Sequence, residues 1–244
     1  MRTIFLADAH LKDQADDNYL LLRRFLKELT GNTDTLYIMG DLFDFWVGFP
    51  SNPFRQYDEA LDALDKLVAS GCRLVCFEGN HDFHLGDIFS RRLKAEIHST
   101  PTIREIQGKR LYLCHGDQIN RADYCYRLLR LLLHNPLTGA AVRFVPLSLA
   151  NFIKERLQKV SRSKYYAASS RWDYRAIIRE FADETGRKGC SGLVTGHFHL
   201  AFCEQLDDGA FTVLSLGDWM EQLTYGEMVD GELMLKSYSP TTIS

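Results

Sequence analysis

Short, mostly apolar runs alternate with amphipathic stretches along the first third of the chain. Thr3–Ala7, Thr35–Met39 and Arg73–Phe77 have the length and composition of buried strands. Between them, Tyr19–Leu29 carries Leu20, Leu21, Phe25, Leu26 and Leu29 at amphipathic spacing, and Tyr57–Ala69 carries Ala60, Leu61, Leu64, Leu67 and Val68 on one face. The strand–helix–strand–helix–strand order predicts a parallel sheet with right-handed crossovers. Thr102–Ile106 and Arg110–Cys114 follow, with Gly108 between them as a hairpin signal. From Arg121 to about Glu184 the pattern turns helical. Gly192–Thr195, Ala201–Gln205, Phe211–Leu216 and Glu232–Tyr238 then read as strands, with Asp207-Asp208-Gly209 as a turn. The expectation is one α/β domain over residues 1–244. Its largely β C-terminal half would pack on the first sheet as a two-sheet sandwich covered by helices.

Composition adds exclusions. The chain has 244 residues, 45% hydrophobic and 25% charged, with a net charge of −3, so no global excess of positive charge argues for nucleic acid. Six cysteines are scattered without a CxxC pair, which predicts reduced thiols and argues against a thiolate zinc site. The apolar stretch at the N-terminus is too short for a signal peptide and runs directly into Asp8. No run reaches the roughly 18 apolar residues of a membrane span. A cytoplasmic chain, soluble or peripheral to a membrane, is expected.

Five polar motifs stand close behind short apolar runs: Asp8-Ala9-His10, Gly40-Asp41-Leu42-Phe43-Asp44, Gly79-Asn80-His81-Asp82, His115-Gly116-Asp117 and Gly196-His197-Phe198-His199. Each alone is a weak signal; a DxH pair or a loop histidine pair recurs by chance. Together, behind successive strands, they fit the rule that open α/β sheets bind ligands beyond the carboxyl ends of their strands. Asp8 and His10 can project to one point. Asp41 has two oxygens and can bridge two cations, and Gly40 lets the backbone approach closely. Asn80 offers a carbonyl oxygen; His115, His197 and His199 offer imidazoles. This mixed set suits Mn²⁺, Fe²⁺ or Zn²⁺ rather than Ca²⁺. His84, His98 and His134 match no motif and are expected to be surface or structural residues.

The motif series resembles the calcineurin-like metallophosphoesterase family, which implies a β-sandwich flanked by helices and a pair of divalent cations, Mn²⁺ foremost. By that resemblance Asp8, His10, Asp41 and His199 hold one cation, Asp41, Asn80, His115 and His197 hold the other, and Asp41 bridges. A hydroxide between the cations attacks phosphorus in line. His81 stabilises the leaving oxygen or gives it a proton, and Asp82 orients His81.

The substrate rests on the helical segment. Arg121–Lys164 holds nine basic and two acidic residues, a net of +7 against −10 for the rest, among many Leu and Phe residues. Basic, apolar helices suit a membrane surface or an acyl-chain cleft; ordinary packing helices with a solvated basic face are the alternative. Phe5–Leu11 (FLADAHL), Gly40–Gly48 (GDLFDFWVG), Gly79–Phe83 (GNHDF), Leu111–Asp117 (LYLCHGD) and Val194–His199 (VTGHFH) resemble the UDP-2,3-diacylglucosamine pyrophosphohydrolases of lipid A biosynthesis. That resemblance implies a helical lid at about 121–164 that cradles acyl chains. It implies a nucleotide-linked lipid substrate, a peripheral place on the inner-membrane surface, and no obligate protein partner. Asn80, Asp123, Ser161, Ser163 and Lys164 become substrate contacts. One departure stands out: those enzymes carry GNRD where this chain has His81. A relative acting on another nucleotide- or lipid-linked phosphodiester or pyrophosphate is the alternative. A scaffold that keeps only the fold is disfavoured because every expected ligand position is filled.

Overall fold

A computed structural model of the chain describes residues 1–48, 54–142 and 172–239. The first sheet contains β1 (Arg2–Leu6), β2 (Thr35–Ile38), β4 (Arg73–Phe77), β6 (Glu96–His98), β12 (Thr224–Val229) and β13 (Glu232–Ser237), in the order β13-β12-β1-β2-β4-β6. The second contains β7 (Thr102–Ile106), β8 (Lys109–Cys114), β9 (Gly192–Thr195), β10 (Ala201–Leu206) and β11 (Phe211–Leu216), in the order β10-β11-β9-β8-β7. β1, β2, β4 and β6 are parallel, as are β8, β9 and β11. The β7–β8 hairpin forms at Gly108 as expected.

Strand alternation sorts the side chains into layers. In β1, Ile4 and Leu6 face helices α1 (Asp17–Leu29) and α2 (Asp58–Ala69), while Phe5 faces the other sheet. Leu36 and Ile38 of β2 and Leu74 and Cys76 of β4 face the helices; Tyr37, Val75 and Phe77 fill the inter-sheet core. On the far side, Leu193 and Val213 pack with Ile178 and Ala182 of α5 (Tyr174–Arg187). The layers are therefore helix, sheet, sheet, helix.

Two expectations need correction. α1 buries Tyr19, Leu22, Phe25, Leu26 and Leu29, and Leu20 is 47% exposed. Positions 19, 22, 26 and 29 share one face at 3.6 residues per turn, which Leu20 does not join. The Tyr19 hydroxyl also accepts a bond from the Ala60 amide, pinning α1 to α2. Second, the C-terminal strands do not all join the second sheet. β12 and β13 extend the first, and β12 escapes the expected strand pattern because Gly226 interrupts its apolar run. A Cβ there would lie 2.7 Å from Leu214 Cδ2 and 2.9 Å from Leu216 Cδ2, so a larger residue would need those side chains to shift. The helical segment begins, as its pattern predicts, with two helices, α3 (Tyr124–Leu133) and α4 (Pro136–Val142), separated at Pro136. The part of the expected lid from Arg143 to Lys164 lies outside the described residues.

Candidate metal centre

The motif loops meet at one end of the two sheets. Beyond β1 and β2 they run side by side, with the Asp8 amide donating to Gly40 O at 3.1 Å, His10 to Asp41 O at 3.0 Å and Leu11 to Leu42 O at 3.0 Å. A two-residue parallel pair, β3 (Trp46–Val47) with β5 (Asp82–Phe83), ties the second motif to the third. A Cβ on Gly40 would run into the His115 ring and one on Gly79 into the Asp41 carboxylate. Glycine at both positions permits this close approach.

Five of the seven expected ligands, Asp8, His10, Asp41, His197 and His199, have left-handed backbone, with φ between 44° and 69°. Non-glycine residues seldom adopt it, and such strain gathers at functional sites. Here it brings Asp8 and His10, and His197 and His199, to one centre, while Ala9 and Phe198 between them pack into the apolar core. Asp8 Oδ2 accepts the His197 amide at 2.7 Å. Asp8 Oδ1 is buried without a hydrogen-bond partner, 3.8 Å from His10 Nε2 and 3.9 Å from His199 Nε2. A buried carboxylate oxygen left this way is costly unless a cation occupies the gap. Asp41 Oδ2 lies 3.8 Å from His10 Nε2 and 3.5 Å from His115 Nε2, between the two ligand groups. Asn80 Oδ1 completes the second group, 3.2 Å from His115 Nε2 and 3.0 Å from His197 Nδ1. Asp8, His10 and His199 form one cluster able to hold a metal ion, and Asp41, His115 and His197 another. The residues present thus fit two adjacent cations sharing Asp41.

Neighbouring groups orient the ligands. His115 Nδ1 donates to Met39 O at 2.8 Å, which leaves Nε2 facing Asp41. His199 Nδ1 lies 3.4 Å from Asp218 Oδ2, and Asp218 accepts the Glu221 amide at 2.7 Å. Burial holds His10 well below the ordinary imidazole range and, with His115 nearby, pulls His197 down to about 3, so both are neutral donors. Burial pushes Asp8 up to about 6 against the pull of His199 and His115. For His115 burial opposes the charge, but Asp41, together with Asp8 and Asp117, outweighs it and raises the ring to about 10.

One assigned role changes. Asp82 does not orient His81. Its buried carboxylate accepts amides from Asp41 at 2.8 Å, Gly79 at 3.1 Å and Leu42 at 2.7 Å, so it holds the loop that carries Asp41. The His81 ring is set instead by Asp44 O, 2.9 Å from Nδ1. It stands edge-on to His10 at 4.7 Å between centroids, with Nε2 left for a ligand. Trp46, in the distinctive Phe43–Gly48 segment, is 1% exposed and stacks on Phe43 within an aromatic core.

Asp123 caps α3, accepting the Tyr126 amide at 2.9 Å. Ser161, Ser163 and Lys164 lie outside the described residues. His84 and His98 serve structure: His84 Nε2 bonds Leu133 O at 2.9 Å, and His98 stacks on Phe77. His134 is half-buried, 3.4 Å from Glu78, in keeping with a structural role. Asp117, which the fourth motif contains without a role, and Asp218, which no motif contains, are supporting residues. Their GD dipeptides behind strands β8 and β11 are the available signal.

The fold and these converging donors define a metallophosphoesterase, and the chain belongs to the calcineurin-like phosphoesterase family, which it matches over residues 1–200. It is 30% identical over 241 residues to the UDP-2,3-diacylglucosamine hydrolase of Psychromonas ingrahamii, covering 96% of each chain. It is 31% identical to the enzyme of the same name from Pseudomonas paraeruginosa, covering 91% of this chain and 92% of that one. A solved structure described as a novel archaeal phosphodiesterase superposes with a TM-score of 0.50 at 14% identity, covering 97% of this chain and 99% of the other, a likeness of fold.

Proposed function

We propose that this enzyme hydrolyses the pyrophosphate of UDP-2,3-diacylglucosamine to UMP and 2,3-diacylglucosamine 1-phosphate, a step of lipid A biosynthesis. The observation carrying the chemistry is the unpartnered Asp8 Oδ1 between His10 and His199, beside the shared Asp41. Asp8, His10, Asp41 and His199 would hold one cation and Asp41, Asn80, His115 and His197 the other, with Mn²⁺ the expected ion. Bound cations supply Lewis acidity and lower the pKa of the attacking water. The chain's own residues do the remainder. His81, fixed through Nδ1 by Asp44 O, presents Nε2 to steady or protonate the leaving oxygen. Asp82 keeps Asp41 in place through three backbone amides.

The lipid half of the proposal is supported by the relatives' names and by the surface of α3 and α4. Tyr124, Leu128, Leu131, Leu132 and Leu137 are 60–78% exposed, five of the nine large apolar side chains exposed among the described residues. A patch of this kind marks a lipid or protein contact, and here it adjoins the metal centre through α3. It suits an acyl-chain cleft used at the cytoplasmic face of the inner membrane; among the described residues no helix is long and apolar enough to cross a membrane. Asn80, Asp123, Ser161, Ser163 and Lys164 would contact the sugar and phosphates.

His81 favours one second reading, a relative acting on another nucleotide- or lipid-linked phosphodiester or pyrophosphate. An imidazole can transfer a proton, but it lacks the bidentate phosphate grip of Arg. The deciding assay supplies Mn²⁺-loaded enzyme with UDP-2,3-diacylglucosamine, UDP-N-acetylglucosamine and a chromogenic phosphodiester. UMP release from the diacyl substrate, much faster than from the unacylated one, is expected. Turnover of the chromogenic substrate alone transfers the conclusion to the second reading.

A further inference from the structure

We propose that Asp117, Tyr126 and Arg130 are positioning residues that hold the second cation's ligands from the helical segment, so that seating of α3 and filling of the second cation site favour one another. The inference rests on the two-cation reading above.

Asp117 follows the ligand His115 by two residues, and its side chain is only 4% exposed. Its Oδ2 accepts the Tyr126 hydroxyl at 3.0 Å and pairs with Arg130 Nε. Tyr126 and Arg130 stand at i and i+4, one above the other on the same face of α3. Arg130 is not part of a solvated basic face: it lies against the core, and its Nη2 also reaches Ser99 O at 3.2 Å, in the loop between β6 and β7. The Tyr126 ring lies 5.6 Å from that of His197, and His197 meets His115 edge-to-face at 5.1 Å. The two ligand loops are laced together behind the rings, with the Gly196 amide and the Thr195 hydroxyl both donating to His115 O, at 2.8 and 3.1 Å. One helix face therefore carries both donors to a buried carboxylate and a ring packed on a ligand.

Lifting α3 would strip Asp117 of both donors at once. A buried carboxylate without partners is strongly disfavoured. Its remaining partners would be water or the His115 and His197 rings, which the second cation needs. Competition for those rings weakens the cation, and a bound cation in turn favours the seated helix, because coupling between two binding events is reciprocal. The first cation's own ligands, Asp8, His10 and His199, make none of these contacts and would be spared.

The test counts Mn²⁺ by calorimetric titration and follows limited proteolysis of α3 and α4 in the full chain, with and without Mn²⁺. Wild type should bind two equivalents, and Mn²⁺ should protect the helices from cleavage. Arg130→Gln should weaken the second equivalent by roughly 10–100-fold, the range for losing a group behind a ligand. It should leave the first unchanged and abolish the protection, and Arg130→Lys should restore part of both. Wild-type affinity for both equivalents in folded Arg130→Gln overturns the inference while the two-cation reading stands. A single equivalent in wild type overturns that reading as well. Should Arg130→Gln fail to fold, Tyr126→Phe decides: a weaker second equivalent supports the positioning role, and an unchanged one refutes it.

Discussion

The loops around the metal centre and the helices α3 and α4 treat water in opposite ways. In the loops, Asp8, His10, Asp41, Asp82, His115, Asp117 and Asp218 are all 8% exposed or less, and backbone amides fix most of their carboxylates. In the helices, Tyr126 and Arg130 turn to the core while Leu128, Leu131, Leu132 and Leu137 face outward. A buried polar floor requires something charged to complete it; an exposed apolar face requires something apolar. Under the proposed function, catalytic power belongs to the loops and substrate choice to the helices, so mutations in each should fail differently.

Asp41→Ala should produce the largest loss. It removes the carboxylate common to both ligand groups, so kcat/KM should fall by more than the roughly 10²–10³-fold typical of one lost transition-state contact. Elemental analysis should show both cations depleted; full metal content would refute the shared role. His81→Ala comes next, lowering kcat by roughly 10²–10³-fold at unchanged metal content. His81→Arg should recover phosphate binding without the proton transfer. A lost metal equivalent in His81→Ala would make it a ligand instead.

The helices should break selectively. Leu128→Asp combined with Leu132→Asp places charges on an exposed face, where neither side chain supports the fold. Burying a leucine side chain is worth about 1.5–3 kcal/mol, so hydrolysis of the diacyl substrate should drop by roughly tenfold or more per residue. Turnover of a small chromogenic phosphodiester should not change. Equal losses on both substrates would turn the helices into mere supports for the floor.

The smallest effect concerns pH. With its ring raised to about 10, His115 carries a proton at neutral pH in the metal-free protein, and cation binding must displace it. Asp8, near 6, gives up its own proton in mildly acid solution. Apparent Mn²⁺ affinity should therefore rise with pH, by up to about tenfold per unit for each proton released. Calorimetry in buffers of different ionisation enthalpy reads that release directly, and an uptake that liberates no proton would contradict it.

Much of the floor is legible in the sequence, because β1, β2 and β4 are apolar on both faces and each ends in its ligands. The expectation about Leu20 fails because several adjacent leucines blur a helical face. β12 is hidden by Gly226, whose lack of a side chain is the reason it fits between Leu214 and Leu216. The true partners of Asp82, Asp117 and Asp218 are not readable from the sequence, since each is a backbone amide or a side chain delivered by tertiary packing. Arg130 counts as surface charge there for the same reason: nothing local distinguishes a basic residue in solvent from one folded onto Asp117.

The left-handed backbone at Asp8, His10, Asp41, His197 and His199 also bears on how this family can lose its chemistry. Alanine there removes the donor but keeps the unfavourable φ, whereas glycine removes both and asparagine tolerates the conformation while keeping an oxygen. Asp41→Gly should thus melt higher than Asp41→Ala although neither binds metal, and equal melting temperatures would show that the strain is negligible. Once selection for hydrolysis lapses, Gly relieves conformational strain at these turns, and Gly or Asn at the aspartates removes a buried charge. The easy evolutionary exit from this enzyme is a sturdier protein with the same silhouette, whose inactivity would be written in Gly and Asn at these turns while its core stayed intact.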